Sequence, residues 1–271
     1  MVSKLLYSDK KLFLKYKKLH EFITSYHSAI IAYSGGMDSS LIAYICNRLL
    51  QKTLCVIKNS PSFTQEELNS AVQFCKKYCI RYFIFNGNEF EDEKYTRNYK
   101  DRCYYCKKSL FNTIEKIRKK NSFDVIFDGS NKDDLKDYRP GKKAIKELKI
   151  QSPLLACGFS KRDIRKLSRL FGLSTWKKYP ISCLSSRIPY GTPITIDTLK
   201  KIENIEKEVK LLGHRNVRAR IHDEMIRLEI DEDENIDIEK LKKIIPKIKR
   251  QGFKYIVLDI EGYRTGNMNE K

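Results

Sequence analysis

Apolar and polar positions in the first two-thirds of the chain follow two alternating rhythms. Short apolar runs at 29–33, 53–58, 81–85 and 125–128 predict strands. Between them, apolar residues recur every three or four positions and predict helices at 39–50, 64–78 and 105–119. Strands alternating with helices predict an α/β fold, a parallel sheet covered by helices. Ser160, with Asp163 three residues on, reads as the N-cap of a further helix over 161–170 that Gly172 stops.

Pro180, Pro189, Gly191 and Pro193 interrupt this rhythm, and a different one follows. A helix at 196–212, strands at 217–221 and 225–230, a helix at 238–248 and a strand at 255–260 predict a smaller C-terminal α+β domain. The 271 residues suit two domains, divided as 1–188 and 189–271. No internal repeat or low-complexity segment is present.

The net charge of +20 implies a surface that attracts nucleotides, nucleic acid or other anions, although lysines spread over polar helix faces would give the same value. No apolar run approaches the ~20 residues of a membrane span. The N-terminal stretch MVSKLLYSDKKLFLKYKKLHEF interleaves charge with apolar residues where a secretory signal would be uninterrupted. A cytoplasmic protein without a membrane partner is expected. In that compartment the eight cysteines are thiols, metal ligands or catalytic groups rather than disulfides.

Ser34-Gly35-Gly36-Met37-Asp38-Ser39-Ser40 lies between a predicted strand and a predicted helix. Two glycines allow close backbone approach, and the free amides and positive dipole end of the helix favour an anion. The lysine of a Walker A loop and the G-x-G-x-x-G dinucleotide pattern are both absent. The stretch resembles the SGGxDS loop of the PP-loop ATP pyrophosphatases, which split ATP between its α and β phosphates. That resemblance implies that Ser34, Gly35, Gly36, Asp38 and Ser39 hold pyrophosphate and that Asp38 positions Mg²⁺.

Cys103 and Cys106 stand at metal-ligand or redox spacing among cations in DRCYYCKK, and Cys183 lies far off in ISCLSSRIPYG. Zinc, a redox pair and coincidence compete for a lone C-x-x-C; three thiolates would suit a [4Fe–4S] cluster with one open iron. Cys46, Cys55, Cys75, Cys79 and Cys157 fall on apolar faces or in strands and read as buried, inert thiols. His20, His27, His214 and His222 fall in no metal or catalytic spacing, and Trp176 reads as a packing residue.

The segments SGGMDSS, DRCYYCKKSLF, DGSNKDDLKDYRPG, SPLLACGFSKRDIRKLSRLFGL and CLSSRIPYGTPIT, in that order, resemble the LarE family. Its members are pyridinium-3,5-biscarboxylic acid mononucleotide sulfurtransferases of nickel-pincer cofactor synthesis. The likeness covers nearly the full length. It implies an ATP- and Mg²⁺-dependent enzyme that adenylates pyridinium carboxylates and converts them to thiocarboxylates.

One branch of that family sacrifices a cysteine at the position of Cys183, leaving dehydroalanine. The other holds a [4Fe–4S] cluster on three cysteines and takes sulfur from sulfide or another donor. With Cys103 and Cys106 as well as Cys183, the sequence matches the cluster branch. The resemblance also implies a homo-oligomer, a hexamer, and phosphate contacts from Arg218 and Arg220, which alternation places on one strand face.

Arg139 and Arg187 are candidate anion contacts. Asp133 and Asp134 could orient a carboxylate or metal, or cap the next helix. Glu206 and Glu229 match acidic family positions but read as solvated carboxylates. Two rivals share these features: a [4Fe–4S]-dependent tRNA thiolation enzyme, which would use the positive charge, and a non-catalytic iron–sulfur or nucleotide carrier. No appended RNA-binding module accompanies the loop, so nucleic acid is not the expected partner.

Overall fold

A computed structural model describes residues 9–136, 140–180, 182–231 and 234–264. Its first sheet is built from β1 (Ser28–Ala32), β2 (Lys52–Asn59), β3 (Tyr82–Asn86) and β4 (Val125–Phe127). The order is β3-β2-β1-β4, and every neighbouring pair is parallel.

Successive residues of a strand point to opposite faces. Ala29 and Ile31 join one core with residues of α1 (Lys10–Thr24), α2 (Met37–Leu49), α3 (Gln65–Lys77) and α5 (Lys161–Leu170). Ile30 joins a second core with Phe111 and Ile114 of α4 (Arg102–Lys120). Cover on both faces explains why β1 and β4 read as unbroken apolar runs. The α/β class expected from the rhythm is the class observed.

Two local expectations change. Helix α1 was not expected, because lysines crowd the stretch and hide the spacing of Leu12, Leu19 and Ile23, all buried. Asp9 starts it by accepting from Leu12 N at 3.1 Å. Helix α4 begins at Arg102 rather than at residue 105, so Cys103 joins Cys106 on the helix.

Helix α5 begins where Ser160 and Asp163 complete a capping box. Burial would raise the Asp163 carboxyl, but hydrogen bonds from Lys15 and from the backbone and hydroxyl of Ser160 outweigh it and hold the group below its ordinary 3.8. A depressed carboxylate stabilises the fold above its unfolded value and loses that contribution as pH falls through the folded value. Stability is therefore expected to fall in acid below about pH 4, and Asp163→Asn to flatten that part of a pH series of thermal melts.

The chain forms two compact units. The first takes Met1–Ser60, Gln65–Asp92 and Lys100–Ile181; the second takes Pro61–Thr64, Glu93–Tyr99 and Ser182–Lys271. Residues 182–188, placed before the expected boundary, thus pack with the second unit. In that unit β5 (Val217–His222) and β6 (Met225–Ile230) form an antiparallel hairpin. The strand β7 (Tyr255–Leu258) runs parallel to β6. Helix α6 (Ile196–Leu211) contributes Leu199, Ile202, Ile205 and Val209 to the buried apolar set, beside Val217, Ala219 and Ile226.

The helix expected over 238–248 is two short pieces, Ile238–Lys242 and Ile245–Lys249. Pro246 has no N–H to donate and its ring crowds the carbonyl four residues back, so the chain breaks before it and restarts with proline in the first turn.

Candidate functional site

The chain runs from β1 to β2 to β3 in one direction and then returns to place β4 on the other side of β1. That reversal makes the carboxyl ends of β1 and β4 the place where open α/β sheets bind ligands. The SGGMDS turn follows β1 there, and Asp128-Gly129-Ser130-Asn131 follows β4.

Gly35 has φ +73° and lies against α3, where a Cβ would come within 2.9 Å of the Ala71 methyl. No other residue type fits both demands. A Cβ on Gly129 would sit 2.9 Å from Ser39 N and 3.3 Å from Asp38 Cβ, so the two loops touch through backbone. The Ser34 and Ser39 hydroxyls are 3.2 Å apart, and Ser39 Oγ donates to Gly36 O at 3.2 Å. Gly36 caps α2 with extended backbone and no side-chain bond. The first amides of α2 therefore have no acceptor within the helix itself.

Two lysines absent from the sequence reading of this loop flank it. Lys161, the first residue of α5, donates to Asp38 Oδ2, and Asn131 Nδ2 lies 3.4 Å from the same oxygen. Lys178 Nζ donates to Gly35 O at 3.0 Å and to Ser70 Oγ at 2.6 Å. Burial pushes the Lys178 ammonium below its ordinary value, with Glu67 and Glu66 opposing. Amides at a helix start, two ammonium groups and one carboxylate are the groups that phosphate chains and hard cations bind in general.

Asp133 and Asp134 serve the scaffold. Asp133 Oδ2 accepts from Lys161 N at 2.7 Å, Asp134 Oδ2 from Asn131 N at 3.0 Å. The next helix, Gly141–Glu147, takes no side-chain cap from either residue; Asp133 instead meets the first amide of α5, farther along the chain. Asp133→Ala is expected to cost about 1 kcal/mol by loss of that N-terminal acceptor, read in a thermal melt. Arg139 lies outside the described residues.

Cys103 and Cys106 sit three apart on the first turn of α4, hence on one face. Lys58 Nζ donates to Cys106 Sγ at 3.1 Å and to Glu89 Oε1 at 2.8 Å. Burial alone would lower the Lys58 ammonium, but the Cys106 sulfur and the Glu89 carboxylate outweigh it and hold it above its ordinary value. Among the described residues no group of three or more His, Cys, Asp or Glu side chains gathers as a metal site. Cys183 belongs to the second unit.

Cys183 caps the short turn Leu184–Arg187. Arg187 is buried and meets Glu206 with Nε–Oε1 2.8 Å and Nη2–Oε2 3.2 Å. Its Nη1 donates to Ser182 O, Cys183 O and Ser186 Oγ at 2.9, 3.0 and 2.9 Å. Glu206 also accepts from Ala219 N at 3.1 Å. Arg187, expected as an anion contact, thus grips the cysteine turn. Segment 61–64 assists: Ser62 O accepts from Leu184 N at 2.8 Å, and Tyr95 Oη lies 2.6 Å from both Ser62 Oγ and Ser185 Oγ.

Glu206 and Glu229, expected to be solvated, are 3% and 0% exposed. Arg218 and Arg220 are also buried rather than displayed on a strand edge. Burial of Glu229 follows from its partners: Arg220 Nε at 2.5 Å and Arg227 Nη2 at 2.9 Å. Arg218 stacks 4.8 Å from the Tyr263 ring centre. Burial lowers its pKa, the Arg187 charge lowers it further, and Glu206 opposes both.

Of the cysteines expected to be inert, Cys46, Cys55 and Cys75 are buried. Cys79 is exposed, in left-handed backbone (φ 54°) just past α3. Cys157 is half-buried, and that burial raises its thiol. Trp176 is half-buried, with Arg169 and Lys177 each 5.1 Å from the ring centre. Among the described residues no helix is long and apolar enough to cross a membrane.

A parallel sheet with this loop at its reversal point defines a PP-loop enzyme domain, and a family model described as NAD synthase matches residues 7–133. The chain is 32% identical over 243 residues to the pyridinium-3,5-bisthiocarboxylic acid mononucleotide synthase of Lactiplantibacillus plantarum, covering 89% of this chain and 88% of that one. It is 36% identical to the uncharacterized protein slr1717 of Synechocystis sp., over 94% of this chain and 97% of the relative. A third relative, the uncharacterized protein MJ0830 of Methanocaldococcus jannaschii, is 34% identical over 87% of this chain and 90% of its own. The chain belongs to the family of the Lactiplantibacillus plantarum synthase, the LarE family.

Proposed function

We propose that the protein uses ATP to activate the carboxylates of pyridinium-3,5-biscarboxylic acid mononucleotide and converts them to thiocarboxylates. The observation that carries this reading is the SGGMDS turn flanked by Lys161 and Lys178, in a chain of this family. A carboxylate repels nucleophiles and has no leaving group. Attack of its oxygen on the α-phosphorus of ATP expels pyrophosphate and leaves an acyl-adenylate. A sulfur nucleophile then attacks the acyl carbon, and AMP departs with the oxygen.

Developing charge on pyrophosphate falls where the α2 amides, Lys161 and Lys178 can meet it. Asp38, a single carboxylate beside the phosphate space, fits Mg²⁺, which binds through one or two carboxylates and substrate phosphates and would neutralise the leaving group. The family resemblance, rather than their buried position here, is what gives Arg218 and Arg220 the role of substrate-phosphate contacts.

Cys103 and Cys106, adjacent on one helix face beside a buried cation, fit two thiolate positions of an anionic cluster; Cys183 as its third ligand is carried over from the family resemblance alone. A [4Fe–4S] cluster bound there would supply an iron open to hydrosulfide, and so sulfur for successive turnovers. A cytoplasmic homo-oligomer completes this reading.

The test is anaerobic purification, reconstitution with iron and sulfide, and assay of pyrophosphate and AMP. Release is expected with the pyridinium mononucleotide and not with tRNA. About four iron and four labile sulfide per chain are expected, with both lost in Cys106→Ala. Turnover that needs tRNA would replace this reading with RNA thiolation. ATP binding without pyrophosphate release would make the protein a carrier.

A further inference from the structure

The C-x-x-C stretch does not stand alone: a charge cluster from two other stretches of the first unit, 58–60 and 87–89, is built against it. Lys58, near the end of β2, has a side chain 7% exposed, and Glu89 one 2% exposed. Ser60 Oγ donates to the same Glu89 Oε1 that receives Lys58. A Cβ on Gly87 would run into Glu89 Oε2 and come within 2.9 Å of Lys58 Cδ, so the glycine leaves room for the pair.

Burying a lysine is costly unless its charge is met. Glu89 meets it on one side. On the other, the ammonium reaches the Cys106 sulfur at 3.1 Å. A buried pair needed only for stability would not have to turn a donor toward a thiol.

We infer that Lys58 is a positioning residue for the sulfur chemistry, a fixed positive charge that holds the Cys106 sulfur by an N–H···S bond and offsets the negative charge of the group bound there. This rests on the cluster reading above. Hydrogen bonds to cluster sulfurs and nearby charge are the protein's main means of setting a cluster's potential. Glu89 sets how much of the lysine's charge the sulfur feels. Removing the cation and removing its counter-ion should therefore act in opposite directions.

The experiment compares parent, Lys58→Met and Glu89→Gln, each reconstituted without oxygen, for iron content and for midpoint potential by dithionite titration followed by EPR. Methionine keeps most of the buried stem and drops the charge. Iron content is expected to stay at the parental value in both variants. At a fixed potential the ratio of reduced to oxidised cluster should fall roughly tenfold in Lys58→Met, a shift of about 59 mV for one electron. In Glu89→Gln it should rise.

Equal potentials in all three proteins, or shifts of the same sign, overturn the inference while leaving the cluster in place. If Lys58→Met takes up no iron, Glu89→Gln decides alone: a rise supports the inference and no change overturns it. A parent that binds no iron overturns the cluster reading itself, and this inference with it.

Discussion

Cys183→Ala is expected to lower sulfur transfer to the pyridinium substrate by on the order of 10⁴-fold or more, as loss of an obligatory nucleophile or its anchor does. Pyrophosphate release should survive as a burst of about one equivalent per chain, because activation precedes attack by sulfur. The separation is expected because the SGGMDS turn and the lysines beside it are built from first-unit residues, whereas Cys183 belongs to the second unit. The turn that carries it is held by backbone groups, Cys183 O to Arg187 and Leu184 N to Ser62, which alanine keeps. Mass detection of thiocarboxylate beside a coupled pyrophosphate assay checks both halves. Thiocarboxylate formed at the parental rate would remove Cys183 from the chemistry.

The largest stability effect is expected from Glu206→Ala. Arg187 and Glu206 have side chains 3% and 4% exposed, so water screens neither. Removing one partner leaves a guanidinium buried without its counter-ion, at a cost of about 3–5 kcal/mol. The Ala219 amide loses its acceptor as well. Glu206→Gln keeps an acceptor for that amide and should recover part of the loss. Denaturant unfolding followed by a probe in the second unit checks the order parent, Gln, Ala. A melt unchanged in Glu206→Ala would mean that water or another anion replaces the carboxylate.

The SGGMDS turn is legible in the sequence because its pattern is local: two glycines, two hydroxyls and an acid within six residues, between a strand and a helix. The residues that complete it are not local. Asn131, Lys161 and Lys178 come from distant stretches and meet Asp38 and Gly35 only through the sheet. In a chain with 54 lysines and arginines, no single lysine stands out by its sequence. Lys58 is hidden for the same reason.

The alternation in β5 placed Arg218 and Arg220 on one face, but alternation cannot tell whether that face meets water. Here it is buried, and Glu229 is buried with it as the counter-ion of Arg220 and Arg227, while Glu206 is the buried counter-ion of Arg187. Helix α1 went unread because the lysines between its apolar positions imitate a solvated segment. Pro246, by contrast, was a readable break in the helix expected over 238–248.

The backbone passes between the two units five times, at 60/61, 64/65, 92/93, 99/100 and 181/182. Cutting the gene at the last junction would therefore not release a self-sufficient C-terminal module. Such a fragment would lack Ser62 and Tyr95, which secure the cysteine turn, and Asn98, whose amide serves Pro189 O and Thr192 O at 2.7 and 2.9 Å. Grafting this unit onto a relative would mean carrying three separate stretches of sequence, so the sulfur-bearing turn and the nucleotide-type sheet are constrained to be inherited together.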